Sequence, residues 1–359
     1  MIPPRFYPVA ARVAGRLGLA QSLEDAAVSV TDVAPEDTEP MRPVTIFPED
    51  REKIVSAGSG STLEKELLRL DSHEGINVST RRYELRNALA TPFGVYQLRG
   101  SHLPSGGLDL SALLGARIHR REAGFYAATH VSHSFFGHWI MDGLPASLLR
   151  EPDEDLVLPI PPNWRKMGAY TPHTLAYAEK LELERRTEDY IFYDRLTLCR
   201  DFGQNPHRRA RTADIRDRVQ HAIAKQGTSR PSASGVYLAR GDTGSVRRLL
   251  NEDALISALE ARGFETVPIN APLQDIWAKV YGTPQVVSLE GSHMAHAILA
   301  ARADALHIAI NPADRFYLAF ADYTAALDIR LATVVAPRDG EGWRVDVDSV
   351  LRMLDREAP

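Results

Sequence analysis

Cysteine is nearly missing from this chain of 359 residues, since Cys199 is the only one. A single cysteine excludes an intrachain disulfide, which fits a reducing compartment. Long apolar runs are missing too, because no stretch approaches the roughly 20 apolar residues of a membrane helix. We therefore expect a protein of the cytoplasm that does not span a membrane.

A strong net charge is also lacking. The formal charge is −5 at pH 7, whereas a general nucleic-acid binder normally carries a net basic surface. We therefore expect no nucleic-acid partner. The arginines are nevertheless unevenly distributed, with one cluster at 208–218 and another at 240–248.

The first 23 residues combine Arg5, Arg12 and Arg16 with short apolar patches. Arg12 and Arg16 interrupt the apolar region that a signal peptide would need. Two interpretations stay open. We favour a surface helix or loose arm; the alternative is an amphipathic anchor that would hold the protein peripherally at the inner face of a membrane.

The length of the chain exceeds what one core usually supports, so we expect two domains. A small, polar run at 226–234 (QGTSRPSAS) is typical of a linker. We predict an α/β domain at 1–230, on the acceptor side, and a Rossmann-like domain at 231–359. In the second, Asn251 is predicted to N-cap a helix and Gly263 to end it.

The carboxy-terminal half alternates apolar strands with amphipathic helices, which indicates an α/β fold with a parallel, doubly wound sheet. The predicted strands are 235–239, 266–269, 285–289, 306–310 and 329–335.

A histidine and an aspartate form the first candidate site. If 135–143 is helical and Pro145 ends the helix, His138 and Asp142 share one face. A carboxylate beside an imidazole raises its basicity, as a general base requires. The same pair could instead be an ordinary helix-face contact. With His130 and His133, it could also bind zinc in a metal-dependent hydrolase.

Arginines form the second candidate site, in the loop after the strand 235–239. Arg240, Arg247 and Arg248 fit neither a P-loop nor GxGxxG. They follow the carboxyl end of a parallel strand, where ligands bind in open α/β sheets. Guanidinium groups suit a diphosphate, although a solvated arginine cluster remains the alternative.

A glycine turn completes the predicted donor site. Gly291 lets backbone approach a ligand, and Ser292 is predicted to cap a helix whose first amides face an anion. Glu290 is predicted to accept hydrogen bonds from ribose hydroxyls, and His293 and His296 to contact phosphate or sugar. The alternative makes Glu290 a solvated loop residue and His296 a packed one.

Three segments, in their order along the chain, resemble motifs of glycosyltransferase family 61. An H-W-x-x-D-x-L-P motif is matched by His138, Trp139, Asp142, Leu144 and Pro145. An arginine followed by R-R-x-x-N-E is matched by Arg240, Arg247, Arg248, Asn251 and Glu252. A strand, glycine loop and helix of small residues is matched by 286–301. Two positions depart from the family: many relatives have histidine at Glu290 and asparagine at His296.

The resemblance implies a GT-B-like fold, two Rossmann-like domains facing across a cleft, and a nucleotide-sugar donor bound by the carboxy-terminal one. It implies inverting transfer of a hexose or pentose to a glycan or glycolipid acceptor, in capsule or lipopolysaccharide synthesis, without an obligatory metal or other cofactor. Asp142 is our first choice as base, with His138 orienting it, and the two roles can be exchanged. The rivals are the hydrolase, a sugar-nucleotide epimerase and a noncatalytic nucleotide-binding module.

Overall fold

The computed structural model describes residues 2–72, 74–104, 108–129, 131–132, 135–160, 170–228, 233–241 and 247–357. The helices are α1 Tyr7–Arg16, α2 Leu23–Ala26, α3 Pro48–Arg51, α4 Leu63–Asp71, α5 Leu110–Gly115, α6 Phe136–His138, α7 Leu144–Ser147, α8 Tyr170–Lys180, α9 Pro206–Lys225, α10 Glu252–Glu260, α11 Leu273–Val280, α12 Met294–Ala300, α13 Phe320–Ala326 and α14 Val347–Arg356. The strands are β1 Ser29–Ala34, β2 Asp37–Pro40, β3 Glu74–Asn77, β4 Thr80–Thr91, β5 Gly94–Tyr96, β6 Ser101–His102, β7 His119–Tyr126, β8 Asp155–Val157, β9 Ile191–Arg200, β10 Gly235–Ala239, β11 Phe264–Pro268, β12 Gln285–Leu289, β13 Leu306–Pro312, β14 Arg330–Ala336, β15 Arg338–Asp339 and β16 Gly342–Trp343. A 3-10 turn covers Pro4–Phe6, and a π-helical turn covers Trp139–Gly143.

The chain divides into two compact units, each assembled from three segments. The first unit is Met1–Asp37, Ile76–Arg165 and Glu182–Arg211; the second is Thr38–Gly75, Lys166–Leu181 and Thr212–Pro359. This division differs from the single boundary between 230 and 231 predicted from the sequence. The second unit takes in two earlier segments because they pack on its strands and helices. Thr45, for example, bridges Ala332 of β14.

The second unit contains a five-stranded sheet in the order β11-β10-β12-β13-β14. All its neighbouring strands run parallel, which confirms the predicted α/β class and the parallel sheet. The observed strand ends lie within two residues of the predicted ones. The strand order reverses at β10, since β11 pairs on one side of it and β12 on the other. Ligands bind at such a switch point, outside the carboxyl ends of the strands.

The core of the second unit explains why its strands are nearly continuous apolar runs. Every residue of β13 is buried, as expected for a parallel strand covered on both faces. The helices α10 and α14 pack on one face, where Leu255 and Leu259 meet Val350 and Leu354. Asn251 does precede α10, but its side chain does not cap the helix. Instead it donates to, and accepts from, the backbone of Val345.

The first unit has a mixed seven-stranded sheet in the order β6-β5-β4-β9-β7-β8, with β1 also paired to β4. The strands β9, β7 and β8 are parallel to one another. The strands β1, β5 and β9 pair antiparallel to β4. Only part of this sheet therefore follows the parallel pattern of a Rossmann-like domain. Across the described residues of both units, no helix is long and apolar enough to cross a membrane.

Candidate functional site

Two arginines and a glutamate meet at the carboxyl ends of β10 and β12. Arg240 directly follows β10, and Glu290 directly follows β12. Nη1 of Arg240 donates to the carbonyl oxygen of Glu290 over 3.3 Å. Nη1 of Arg247 donates to the same carbonyl and, over 2.5 Å, to Oε2 of Glu290. The structure thus brings the arginine loop and the glycine turn together at the switch point, largely shielded from solvent.

Arg248 does not share this cluster, because its side chain is exposed and its carbonyl accepts from the amide of Trp343 at 2.9 Å. Residues 242–246 lie outside the described part of the chain.

Glu290 is buried, so the alternative of a solvated loop residue is wrong. Its ion pair with Arg247 makes it a group that positions that arginine.

Gly291 is required by the close approach of Arg240. A Cβ atom built on Gly291 would overlap Nη1 of Arg240 and lie 3.0 Å from Nδ1 of His293. Any larger residue would therefore displace the guanidinium group. The glycine keeps the turn backbone and the Arg240 side chain in contact.

The helix after this turn begins later than the sequence predicts. It starts at Met294, and its N-cap position is His293, without a side-chain cap, so the prediction that Ser292 caps it is wrong. The amides of Met294 and Ala295 donate to the carbonyls of Gly291 and Ser292. Within the described residues, the amides of Gly291, Ser292 and His293 have no such acceptor. Those three turn amides, not the helix amides, are the ones available to an anion.

His293 is fully buried beside this cluster. Neither of its ring nitrogens has a hydrogen-bond partner among the described residues. Burial, and then the charges of Arg240 and Arg247, hold the pKa of His293 well below its ordinary value. The ring is therefore neutral and offers one donor and one acceptor. A buried imidazole in this state is suited to a polar ligand group.

His296 is packed inside an aromatic cluster that the sequence did not predict. Its Nδ1 lies 3.0 Å from the hydroxyl of Tyr177, and the two rings stack. Nε1 of Trp277 donates to the same hydroxyl over 3.2 Å. The ring of His173 meets that of His296 edge to face, with 4.9 Å between centroids. Burial, then the neighbouring His173 and His293, lower the pKa of His296 well below its usual range.

A cavity of about 380 Å³ lies beside this aromatic cluster. Nε2 of His173 donates to the carbonyl of Ala271 over 2.8 Å, joining α8 to the loop that follows β11. The polar lining residues are His173, Lys180, Asn270 and Gln274, and Trp277 is among the apolar ones. The cavity therefore lies next to the carboxyl end of β11, the strand beside β10. Its volume is at the lower end of the range of ligand pockets, about 300–1,000 Å³.

Arg315 adds a further cation near the cluster. It follows β13, the next strand in the sheet, and is half-buried. Burial lowers the pKa of Arg315, and repulsion from Arg247 lowers it further, whereas Glu290 opposes the change. The signal in the sequence was its place just after a strand, as for Arg240 and Glu290.

His138 and Asp142 are in direct contact in the first unit. Nδ1 of His138 lies 2.8 Å from Oδ2 of Asp142. A carboxylate only accepts, so Nδ1 carries the hydrogen and Nε2 the lone pair of the neutral ring. Nη2 of Arg208 donates to the other carboxylate oxygen, Oδ1. Both oxygens of Asp142 are therefore engaged, and the sequence did not indicate that Arg208 pairs with Asp142.

Pro145 does not end the helix, contrary to the prediction. It lies inside α7, after the π-helical turn in which the amide of Leu144 donates to the carbonyl of Trp139. A proline has no amide to donate to the carbonyl four residues earlier. That carbonyl, of Met141, instead accepts from Nη2 of Arg208 over 3.0 Å. The same arginine therefore satisfies the proline-disrupted backbone and the carboxylate of Asp142.

A second ion pair holds Arg208 in place. Its Nη1 lies 3.6 Å from Oδ2 of Asp201, and Arg211 donates to both oxygens of Asp201 at 2.8 Å. Burial opposes ionisation of Asp201, but the charges of Arg208 and Arg211 hold its pKa below the ordinary value. This buried network fixes the orientation of Asp142 and hence of His138.

The zinc site offered as an alternative from the sequence would use His130 and His133 together with His138 and Asp142. His130 and His133 lie outside the described residues. Among the residues that are described, no three His, Cys, Asp or Glu side chains are grouped as metal ligands.

The second unit therefore has a buried cationic cluster at the switch point of its parallel sheet, the place where open α/β sheets bind ligands. Residues 136–306 match the family model described as Glycosyltransferase 61. This match confirms the resemblance over those residues and indicates glycosyltransferase activity, which acts between a donor and an acceptor substrate. The match includes His138, Asp142, Arg240, Arg247 and the Glu290 turn. No curated protein matches the chain.

Proposed function

We propose that the protein transfers a sugar from a nucleoside-diphosphate donor to a hydroxyl of a glycan or glycolipid, with inversion at the anomeric carbon. The observation that carries the proposal is the meeting of Arg240, Arg247 and the Gly291 turn between β10 and β12. Guanidinium groups and backbone amides bind phosphate oxygens. They also stabilise the charge that develops on a departing diphosphate, so no metal is needed for that step.

The cavity beside α11 is proposed to receive the nucleobase. It adjoins the loop after β11, and β11 lies next to β10, which leads to Arg240. The amides of Asn270 and Gln274 can donate to and accept from the edge of a base. His293 and His296 would then lie on the phosphate and sugar side, and His293 offers its neutral ring.

His138 is proposed as the general base, with Asp142 orienting it. This reverses our first choice from the sequence, because Arg208 and His138 occupy both oxygens of Asp142. As the acceptor oxygen bonds to the anomeric carbon, its proton passes to Nε2 of His138. The bond from that carbon to the diphosphate oxygen breaks, and its electron pair leaves with the diphosphate.

In this scheme, as in a GT-B-like fold, the second unit binds the donor and the first unit supplies the base. The transferred group is proposed to be a hexose or pentose, and the reaction a step in capsule or lipopolysaccharide synthesis in the cytoplasm.

The test is transfer from a panel of nucleotide sugars to glycan acceptors, with and without chelator. We expect product of opposite anomeric configuration to the donor, formed equally well in chelator. Retention of configuration or loss of activity in chelator would contradict the scheme. Conversion of the donor without any acceptor would indicate an epimerase.

A further inference from the structure

The amino-terminal helix α1 is held firmly by its inner face. Tyr7 is buried and meets Phe192 edge to face, with 6.0 Å between ring centroids. Ala11 and Ala14 are buried on the same side of the helix. Arg5, in the preceding 3-10 turn, donates from Nη1 to the carbonyl of Leu114 over 2.9 Å. The orientation of the helix is therefore fixed, and so is the face that it presents outwards.

The outer face of this helix is apolar. Phe6, Val9, Val13 and Leu17 follow one another at spacings of three or four residues, so they lie on one side of a helix. Each is between 42% and 66% exposed. Exposed Leu19 continues this apolar stripe past the end of the helix. A contiguous apolar stripe marks an interaction surface, unlike single exposed apolar residues.

Positive charge accompanies the apolar stripe. Arg12 and Arg16 are exposed, and helical spacing places both along one edge of it. The first 23 residues contain no aspartate or glutamate. The acids that follow are already engaged: Glu24 pairs with Arg200, and Asp25 closes the capping box of α2.

We propose that α1 binds this protein to a bilayer containing anionic lipid. The apolar stripe enters the boundary between headgroups and acyl chains, and Arg12 and Arg16 contact lipid phosphates. Self-association through the same surface is disfavoured, because it would bring two sets of arginines together. The proposal does not depend on the glycosyl transfer proposed above, since it uses none of the residues of that site.

Cosedimentation with phosphatidylcholine vesicles, with and without phosphatidylglycerol, tests the proposal. The wild type is expected to bind only the vesicles that contain phosphatidylglycerol. Val13→Asp/Leu17→Asp should abolish binding. Arg12→Gln/Arg16→Gln should weaken it roughly 25-fold, at about fivefold per arginine.

The matched control is Leu68→Asp, which changes an equally exposed leucine on α4 in the second unit; it should bind like the wild type. Unchanged thermal unfolding of every variant shows that the fold is intact. The proposal would be overturned if Val13→Asp/Leu17→Asp still bound the vesicles. It would also be overturned if the wild type bound equally well to vesicles without phosphatidylglycerol. A dimer, seen by size-exclusion chromatography, that Val13→Asp/Leu17→Asp dissociates would overturn it as well.

Discussion

Nδ1 of His138 lies 2.8 Å from Oδ2 of Asp142, whose other oxygen accepts from Arg208. The histidine is the member of this triad with the more exposed side chain, at 19% against 7% for Asp142. In the proposed mechanism the imidazole therefore takes the proton and the carboxylate orients it.

Replacing the histidine should therefore remove most of the activity without unfolding the protein. We expect His138→Gln to lower kcat by about 10²- to 10⁴-fold, the usual contribution of general base catalysis, at nearly unchanged donor affinity. Steady-state kinetics and a thermal unfolding curve check this together. If Asp142 were the base, His138→Gln would keep most of the wild-type kcat.

The charge network around Arg208 should be essential for stability. Arg208→Met leaves the buried carboxylate of Asp142 without its cation, which costs about 3–5 kcal/mol. Arg218→Met is the matched control, because Arg218 lies on the same helix, is 46% exposed and pairs with Asp214. It should cost less than about 0.5 kcal/mol. Urea unfolding of both variants measures the difference, and equal losses would contradict it.

Gly291→Ala should impair donor binding through Arg240. The added Cβ displaces the guanidinium group, and losing a hydrogen bond from a charged group costs about 1.5–3 kcal/mol. We expect nucleoside-diphosphate affinity to fall at least about tenfold in a calorimetric titration. Gly115→Ala is the control, because a Cβ there has no neighbouring atom within 4 Å. Wild-type affinity in Gly291→Ala would show that the turn tolerates a side chain.

Acid should destabilise the protein through His307, a buried residue of β13. Burial, and then the nearby Arg216, lower the pKa of His307 to about 3, against about 6.5 in an unfolded chain. The folded state therefore binds fewer protons, so this stability is present above pH 6.5 and is lost as the pH falls towards 3. Between pH 7 and pH 5 the loss from this one group is about 2 kcal/mol.

His307→Leu should reduce the loss of unfolding free energy between pH 7 and pH 5 by about 2 kcal/mol. Other buried histidines, among them His102 and His293, keep part of the slope, because burial lowers the pKa of each. His221→Leu, at an exposed position of α9, should leave the slope unchanged. An unaltered slope in His307→Leu would show that this histidine does not titrate on unfolding.

The sequence predicted the second unit well because its signals are local. An apolar run followed by glycine located β12 and the Glu290 turn, and parallel strand ends must share one edge of a sheet. The same reasoning indicated that Arg240 and Arg247 would lie near that turn.

What the sequence missed depends on contacts between distant residues. The sequence showed Arg208 and Arg211 only as members of an arginine cluster, yet each is buried against Asp201. The strand β4 was missed because its arginines obscure the apolar pattern; it forms through pairing with β9, more than 100 residues later. Likewise, nothing local indicated that α8 brings Tyr177 to His296.

Calorimetric titration with nucleoside diphosphates tests directly whether the switch point between β10 and β12 binds a diphosphate. We expect the wild type to bind at least one of them. Arg240→Gln and Arg247→Gln should each weaken that binding by about ten- to hundredfold. Arg248→Gln, the exposed neighbour, should stay within about twofold of the wild type. Equal affinity in the wild type and in Arg240→Gln/Arg247→Gln would contradict the assignment of the diphosphate to the switch point between β10 and β12.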